Sequence, residues 1–201
     1  LTGQALKAKR SPETHLALLQ QMHNGQEVAL RDLPNWISQF SDVLFASHDD
    51  ATKLQRQNFS QMGVKIAEFP ETQHAAQAAI EMDEAVILGA PNVMRGSSHK
   101  GNVSARDLVA QDLCTALASD YHYPSLLQAA LLLATEIGFK DAWPLVSSNP
   151  ASVLGLHDRG SVHAGQRADF IVLNADMQLE ATFSNGRPAY ITGEFAARLF
   201  A

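Results

Sequence analysis

The chain has 201 residues, 15 Lys and Arg against 21 Asp and Glu for a formal net charge of −6, and 46% hydrophobic residues, enough apolar material for a sizeable core. The acidic balance, with no basic run longer than Lys7-Ala8-Lys9-Arg10, argues against nucleic acid as the main partner. The longest apolar run, Ala129 to Ala134, falls far short of the roughly 18 residues a membrane span needs, so no membrane partner is expected.

The single cysteine, Cys114, rules out a disulfide framework and a cysteine zinc finger, which leaves His, Asp and Glu to hold any metal. Leu1 opens the chain without Met or a charged-then-apolar leader, so the sequence reads as cytoplasmic, and as one whose true beginning lies elsewhere.

Residues 11 to 40 have a helical pattern, with Ser11-Pro12-Glu13 as a start signal, Asn24-Gly25 as a stop, and Pro34 dividing the remainder. The middle of the chain then repeats one pattern four times: a short apolar run, a polar loop and a helical stretch. The runs are Asp42 to Ser47, Val64 to Glu68, Ala85 to Gly89 and Cys114 to Ser119. Helices are predicted at about 50 to 62, 72 to 82, 104 to 112 and 125 to 137, with Ser104 and Ser125 as N-caps and Gly63 and Gly138 at C-terminal caps. This alternation predicts an α/β fold built of βα units around a parallel sheet, open or closed into a barrel. Downstream, Asp141 to Gly155 reads as two short helices broken at Asn149-Pro150. Asp169 to Asn174 reads as a strand, and Leu179 to Ile191 as a hairpin turning at Ser184-Asn185-Gly186.

Every apolar run of the repeat ends in polar residues, and in parallel α/β folds the carboxyl-terminal ends of the strands are where ligands bind. His48-Asp49-Asp50 places an imidazole beside carboxylates, suited to a divalent cation or to proton transfer; Asp49 or Asp50 equally suits a helix cap. Asp120 follows the last run, where a carboxylate can ligate a metal or take a proton from an attacking water. Glu68 can be a ligand, a support for one, or a salt-bridge partner in the barrel mouth.

The stretch Ala90 to Val103 is long for a βα loop. Asn92, Arg95, Ser97, Ser98, His99 and Lys100 in it are candidates to surround phosphate oxygens, the alternative being a polar surface loop. Its Gly96 to Gly101 spacing mimics a P-loop, but Asn102 stands where that motif needs Lys. Tyr121 and His122 share the Asp120 loop and are further substrate candidates, although loop aromatics often simply pack. His15, His23, His74, His157 and His163 read as structural or solvated, and Cys114 as a small buried residue.

The strings FASHDDAT (45 to 52), KIAEFPET (65 to 72), ILGAPNVMRGSSHKGNVSA (87 to 105) and LASDYHYPSLLQAA (117 to 130), in this order, resemble the PhnM family. These are amidohydrolase-superfamily diphosphatases of the carbon–phosphorus lyase pathway of phosphonate use. The tail NPASVLGLHDRGSVHAGQRADFIVLN (149 to 174) is similar to the generic amidohydrolase ending.

The resemblance implies a metal-dependent (β/α)8 TIM barrel, of which this sequence is the C-terminal half (1 to 146), followed by closing helices and strands of a small β-sandwich (147 to 201). It implies cleavage of α-D-ribose 1-methylphosphonate 5-triphosphate to the 5-phosphate and pyrophosphate, one or two divalent ions with zinc expected, and a homo-oligomer completed by an N-terminal half. His48 then matches a metal-ligand position and Asp120 the final-strand aspartate, His48, Glu68 and Asp120 forming the expected metal set with His48 and Asp120 catalytic. The alternatives are an amidohydrolase cutting a C–N bond and a non-catalytic phosphate-ligand domain.

A half-barrel also predicts an unfilled face, for which Val43, Phe45, Ile66, Ile87 and Leu117 are the candidates. His48 and Asp120 are expected within a few ångströms of one another at one barrel mouth.

Overall fold

The computed structural model describes residues 1–96 and 103–199, without the side chains of residues 26–28. The chain divides into two compact units, Leu1–Val43 and Leu44–Ala201.

The first unit is helical: α1 (Thr2–Lys7), α2 (Pro12–Asn24) and α3 (Gln26–Ile37). α2 begins where its start signal lies, with the Ser11 hydroxyl accepting the Thr14 N–H at 3.1 Å and Pro12 in the first turn. The expected division at Pro34 does not occur. α3 runs through it to Ile37, and the Pro34 carbonyl still accepts the Ser38 N–H at 3.0 Å. A proline this near the C-terminus forfeits one hydrogen bond without stopping the last turn.

The second unit carries β1 (Ala46–His48), α4 (Lys53–Gln61), β2 (Ile66–Glu68), α5 (Gln73–Glu81), β3 (Ala85–Gly89), α6 (Ala90–Arg95), α7 (Ala105–Val109), β4 (Ala116–Ala118) and α8 (Ser125–Ile137). The four strands form one parallel sheet in sequential order β1-β2-β3-β4. The first strand starts later than its apolar run, at Ala46, so that His48 is its last residue.

α6 is the main departure from expectation, because it occupies the start of what reads as a long loop. Pro91 sits in its first turn and Gly96, at φ +69°, closes it, a start-and-stop pair the sequence does carry. Thr52, Thr72 and Ser104 cap α4, α5 and α7 through their hydroxyls. Asp50 is therefore not a cap. Ser125 is not one either: it lies inside α8, and its hydroxyl donates to the His122 carbonyl at 2.5 Å.

Paired residues of a parallel sheet project to the same side, which sorts the strand side chains into two faces. Ser47, Ala67, Val86, Leu88 and Leu117 are all buried on one face, where Leu108, Val109, Leu133 and Leu145 join most of them in the core. Leu117 is thus a helix-side core residue rather than a barrel filler. The other face carries Ala46, His48, Ile66, Glu68, Ala85 and Ile87, none of them fully buried, together with Ala116, which is buried beside Ile87.

After α8 come α9 (Phe139–Ala142), a 3-10 turn (Trp143–Val146) and α10 (Ser148–Val153). The break falls at Ser147 instead of Asn149-Pro150, since Pro150 sits in the first turn of α10, where its missing N–H has no helical partner to lose. Strands β5 (Phe170–Leu173), β6 (Leu179–Ser184) and β7 (Arg187–Ile191) form an antiparallel sheet in that order, and α11 (Gly193–Leu199) follows. The expected hairpin turns on Asn185 and Gly186, both at positive φ, between the paired Ser184 and Arg187. Among the described residues no helix is long and apolar enough to cross a membrane.

Gly160 takes φ +94°, and a Cβ there would lie 2.9 Å from both the Ala151 Cβ and the Ser148 Cα of α10. Gly160→Ala is therefore expected to lower stability by about 2–4 kcal/mol, from a strained φ together with overpacking. Thermal denaturation measures it, and an unshifted midpoint would mean that this segment does not press on α10 in solution.

Candidate active site

All four strands end at the same side of the sheet, which brings the carboxyl-terminal residues of β1, β2, β3 and β4 to one rim. His48 and Glu68 are paired neighbours there, with His48 Nε2 3.9 Å from Glu68 Oε2. His48 Nδ1 lies 3.2 Å from Asp49 Oδ1, and the imidazole meets the Phe69 ring edge-on, centroids 5.4 Å apart. Asp49 has φ +59° and donates its N–H to the Glu68 carbonyl at 3.0 Å. This left-handed turn carries the Asp49 carboxylate back to the imidazole.

That arrangement tests whether the residues suit a divalent cation. His48 thus has the Asp49 carboxylate beside Nδ1 and the Glu68 carboxylate beside Nε2, so that an imidazole nitrogen and a carboxylate oxygen from two neighbouring strands lie next to one another. Nitrogen and carboxylate oxygen are donors that zinc accepts, and a carboxylate behind the imidazole is the usual support of a metal-bound histidine. His48 and Glu68 fit the ion; Asp49 orients His48.

Asp120 stands apart. It follows β4, at φ +50°, while His48 ends β1, and two strands lie between them. Both end strands on the expected rim, and among the described residues no three His, Cys, Asp or Glu side chains gather as a complete metal site.

Instead Asp120 shares a cleft of ≈580 Å³ with Asn92, Arg95 and Tyr121. α6 delivers Asn92 and Arg95, three residues apart, onto the rim directly from β3. The Arg95 guanidinium lies over the exposed Tyr121 ring, 5.7 Å from its centroid. His122 is exposed on the same loop but does not line the cleft, and its carbonyl is engaged by Ser125. Ser97, Ser98, His99 and Lys100 lie outside the described residues.

Beneath the rim, two buried groups bracket His48. Ser47 Oγ donates to Asp50 Oδ2 at 2.6 Å, and both are held by the fully buried Arg56, whose Nη1 is 2.5 Å from Ser47 Oγ and 3.0 Å from Asp50 Oδ2. Arg56 also bonds the Val64 and Ile66 carbonyls, and its Nε faces Glu84 Oε2 at 3.1 Å, while Lys65 reaches Glu84 Oε1 at 3.1 Å. Sequence reasoning missed this hub. In KLQRQNFSQ an arginine looks like any exposed helix residue, and the only hint was the presence of acids beside two strands.

Cys114 precedes β4, at the end of the sheet opposite the rim, and burial pushes its thiol up to about 12, so it is no nucleophile at neutral pH.

No family model matches the chain. It is 43% identical over 134 residues to the alpha-D-ribose 1-methylphosphonate 5-triphosphate diphosphatase of Escherichia coli (strain K12), covering 65% of this chain and 35% of that protein. It is 34% identical over 136 residues to the imidazolonepropionase of Deinococcus radiodurans, covering 63% of this chain and 33% of that one. The chain thus spans about a third of the length of the curated relatives it matches. Among solved structures, the N-acetyl-D-glucosamine-6-phosphate deacetylase of Mycobacterium smegmatis superposes with a TM-score of 0.60 at 19% identity, over 79% of this chain and 52% of that one. The likeness to solved structures is one of fold, and the sequential parallel βα sheet is that of part of a (β/α)8 TIM barrel.

Proposed function

We propose that this chain supplies part of the barrel of a metal-dependent hydrolase that cleaves α-D-ribose 1-methylphosphonate 5-triphosphate to the 5-phosphate and pyrophosphate. The observation that carries the reading is the cleft in which a carboxylate, Asp120, and a cation, Arg95, share the rim at the ends of the parallel strands. The similarity to the E. coli diphosphatase supplies the substrate.

In this reading Asp120 takes the proton of the attacking water, and its exposed carboxylate is placed to pass that proton on to solvent. Arg95 forms paired hydrogen bonds to phosphate oxygens and offsets the charge of the departing pyrophosphate, a task that suits its planar fork. Asn92 donates from the same helical turn, and Tyr121 gives the guanidinium a face to rest on. His48 and Glu68 would hold the divalent ion, which when bound supplies Lewis acidity to phosphoryl oxygen and acidifies water. Lys100 and His99 belong to the same proposal as further cations of the loop, with Ser97 and Ser98 as hydroxyl donors.

The similarity to imidazolonepropionase favours a second reading, hydrolysis of a C–N bond at the same rim. Parallel assays of the intact protein separate them. Pyrophosphate release from the ribose triphosphate with no turnover of cyclic amides supports the first, and the reverse supports the second.

Arg95→Ala is expected to raise KM for the triphosphate about 10- to 100-fold, the loss of one charge-assisted contact of roughly 1.5–3 kcal/mol, while cation affinity stays as in the wild type. Equal loss of both would make Arg95 a structural residue.

A further inference from the structure

We propose that Phe69 is a positioning residue: its ring, fixed by a left-handed backbone, sets the rotation of the His48 imidazole so that Nδ1 faces Asp49 and Nε2 faces Glu68. The inference rests on the reading of His48 and Glu68 as cation ligands.

The first observation is conformational. Phe69 has φ +53°, a region that bulky side chains avoid, and it precedes Pro70, which ordinarily holds the residue before it in extended backbone. Strain of this kind persists only where the surroundings impose it, and it collects at functional sites. The residues after β1 and β4 that share the left-handed turn are aspartates, which tolerate it. Only after β2, among these three, does the turn hold a large aromatic.

The second observation is what the turn achieves. The Phe69 N–H continues the ladder to the Ile87 carbonyl at 2.9 Å, so the backbone is anchored on β3. A Cβ at Gly89 would be 3.7 Å from the Phe69 ring, so the ring lies across the end of β3. From there it meets His48 edge-on at 5.4 Å. An extended residue 69 would direct its side chain elsewhere. The imidazole, 57% exposed, thus has three neighbours: the Asp49 carboxylate at Nδ1, the Phe69 ring in T-shaped contact, and the Glu68 carboxylate toward Nε2. Of these only Phe69 offers no ligand atom. Its contribution is to remove the freedom of the ring to turn Nε2 away.

The test uses the intact protein stripped of metal and titrated with zinc against a chromogenic chelator, with the cobalt(II) absorption spectrum as a readout of ligand geometry. Phe69→Leu is expected to weaken zinc binding about 10- to 100-fold, the range for groups that support a ligand, and to alter the cobalt spectrum. Phe69→Tyr, which keeps the ring, is expected to bind as the wild type does. In the metal-free protein, the His48 imidazole proton resonance, assigned by its loss in His48→Ala, should shift in Phe69→Leu as the ring current disappears. Should Phe69→Leu fail to fold, Phe69→Met removes the ring without a branch. Wild-type affinity, spectrum and resonance in a folded ring-free variant, with binding lost in His48→Ala, would overturn the role of Phe69 alone. Unchanged zinc affinity in His48→Ala would overturn the ligand reading, and this inference with it.

Discussion

Residues 1–201 produced alone are expected to give no active monomer, and the reason lies in the two faces of the parallel sheet. The face that carries Ser47, Ala67, Val86, Leu88 and Leu117 is sealed in the core. The opposite face holds Ile66 and Ile87 beside His48 and Glu68 and is only partly covered, and among the described residues no strand pairs with the outer edge of β1 or of β4. Leu44, just before β1, is 59% exposed. Large apolar side chains left wet forgo about 1.5–3 kcal/mol each, against a total stability of roughly 5–15 kcal/mol for a domain. Open strand edges add a template for pairing between copies. Light scattering of the isolated segment should therefore show association or aggregation, with no triphosphate hydrolysis. A folded monomer with turnover would mean that this face needs no cover.

Arg56→Met is expected to destabilise the fold by about 3–5 kcal/mol. The substitution removes the one guanidinium between Asp50 and Glu84, whose side chains are 1% and 0% exposed, and leaves two carboxylates without their buried counter-charge. It also removes the hydrogen bonds that Arg56 donates to the Val64 and Ile66 carbonyls and to the Ser47 hydroxyl. Lys65, 62% exposed, reaches only Glu84 and cannot take over. Arg56→Lys should recover only part of the loss, because an ammonium is a point donor while the guanidinium spans β1, β2 and the start of β3. Urea titration measures the change. A difference below about 1 kcal/mol would place the network's charges in contact with water.

Much of the architecture was legible because its signals are local. Apolar runs and glycine stops marked the βα units, Asn185-Gly186 marked the hairpin, and the parallel topology then put His48, Glu68 and Asp120 on one rim. Pro34 and Pro150 were read as breaks, whereas Pro150 sits in a first turn, where its missing N–H has no helical partner, and α3 runs through Pro34 at the loss of one hydrogen bond; the Ala90 stretch was read as a loop although Pro91 and Gly96 bound a short helix. The non-local features were not legible. Arg56 is buried because three segments converge on it, and Phe69 acquires its meaning from a backbone angle that no residue pattern announces. Inward and outward positions also depend on register, so Leu117 stood among the candidates for the unfilled face until its pairing with Leu88 placed it on the buried one.

The most direct test of the central claim is phosphorus NMR of α-D-ribose 1-methylphosphonate 5-triphosphate incubated with the intact protein and a divalent cation. The expected spectrum shows the triphosphate signals replaced by those of pyrophosphate and a 5-phosphate, with the phosphonate resonance retained. Arg95→Ala should slow this conversion most at low substrate and, because Arg95 also offsets the leaving-group charge, leave it below the wild-type rate at saturation. A triphosphate left intact, or one shortened to inorganic phosphate and a diphosphate, would contradict the account.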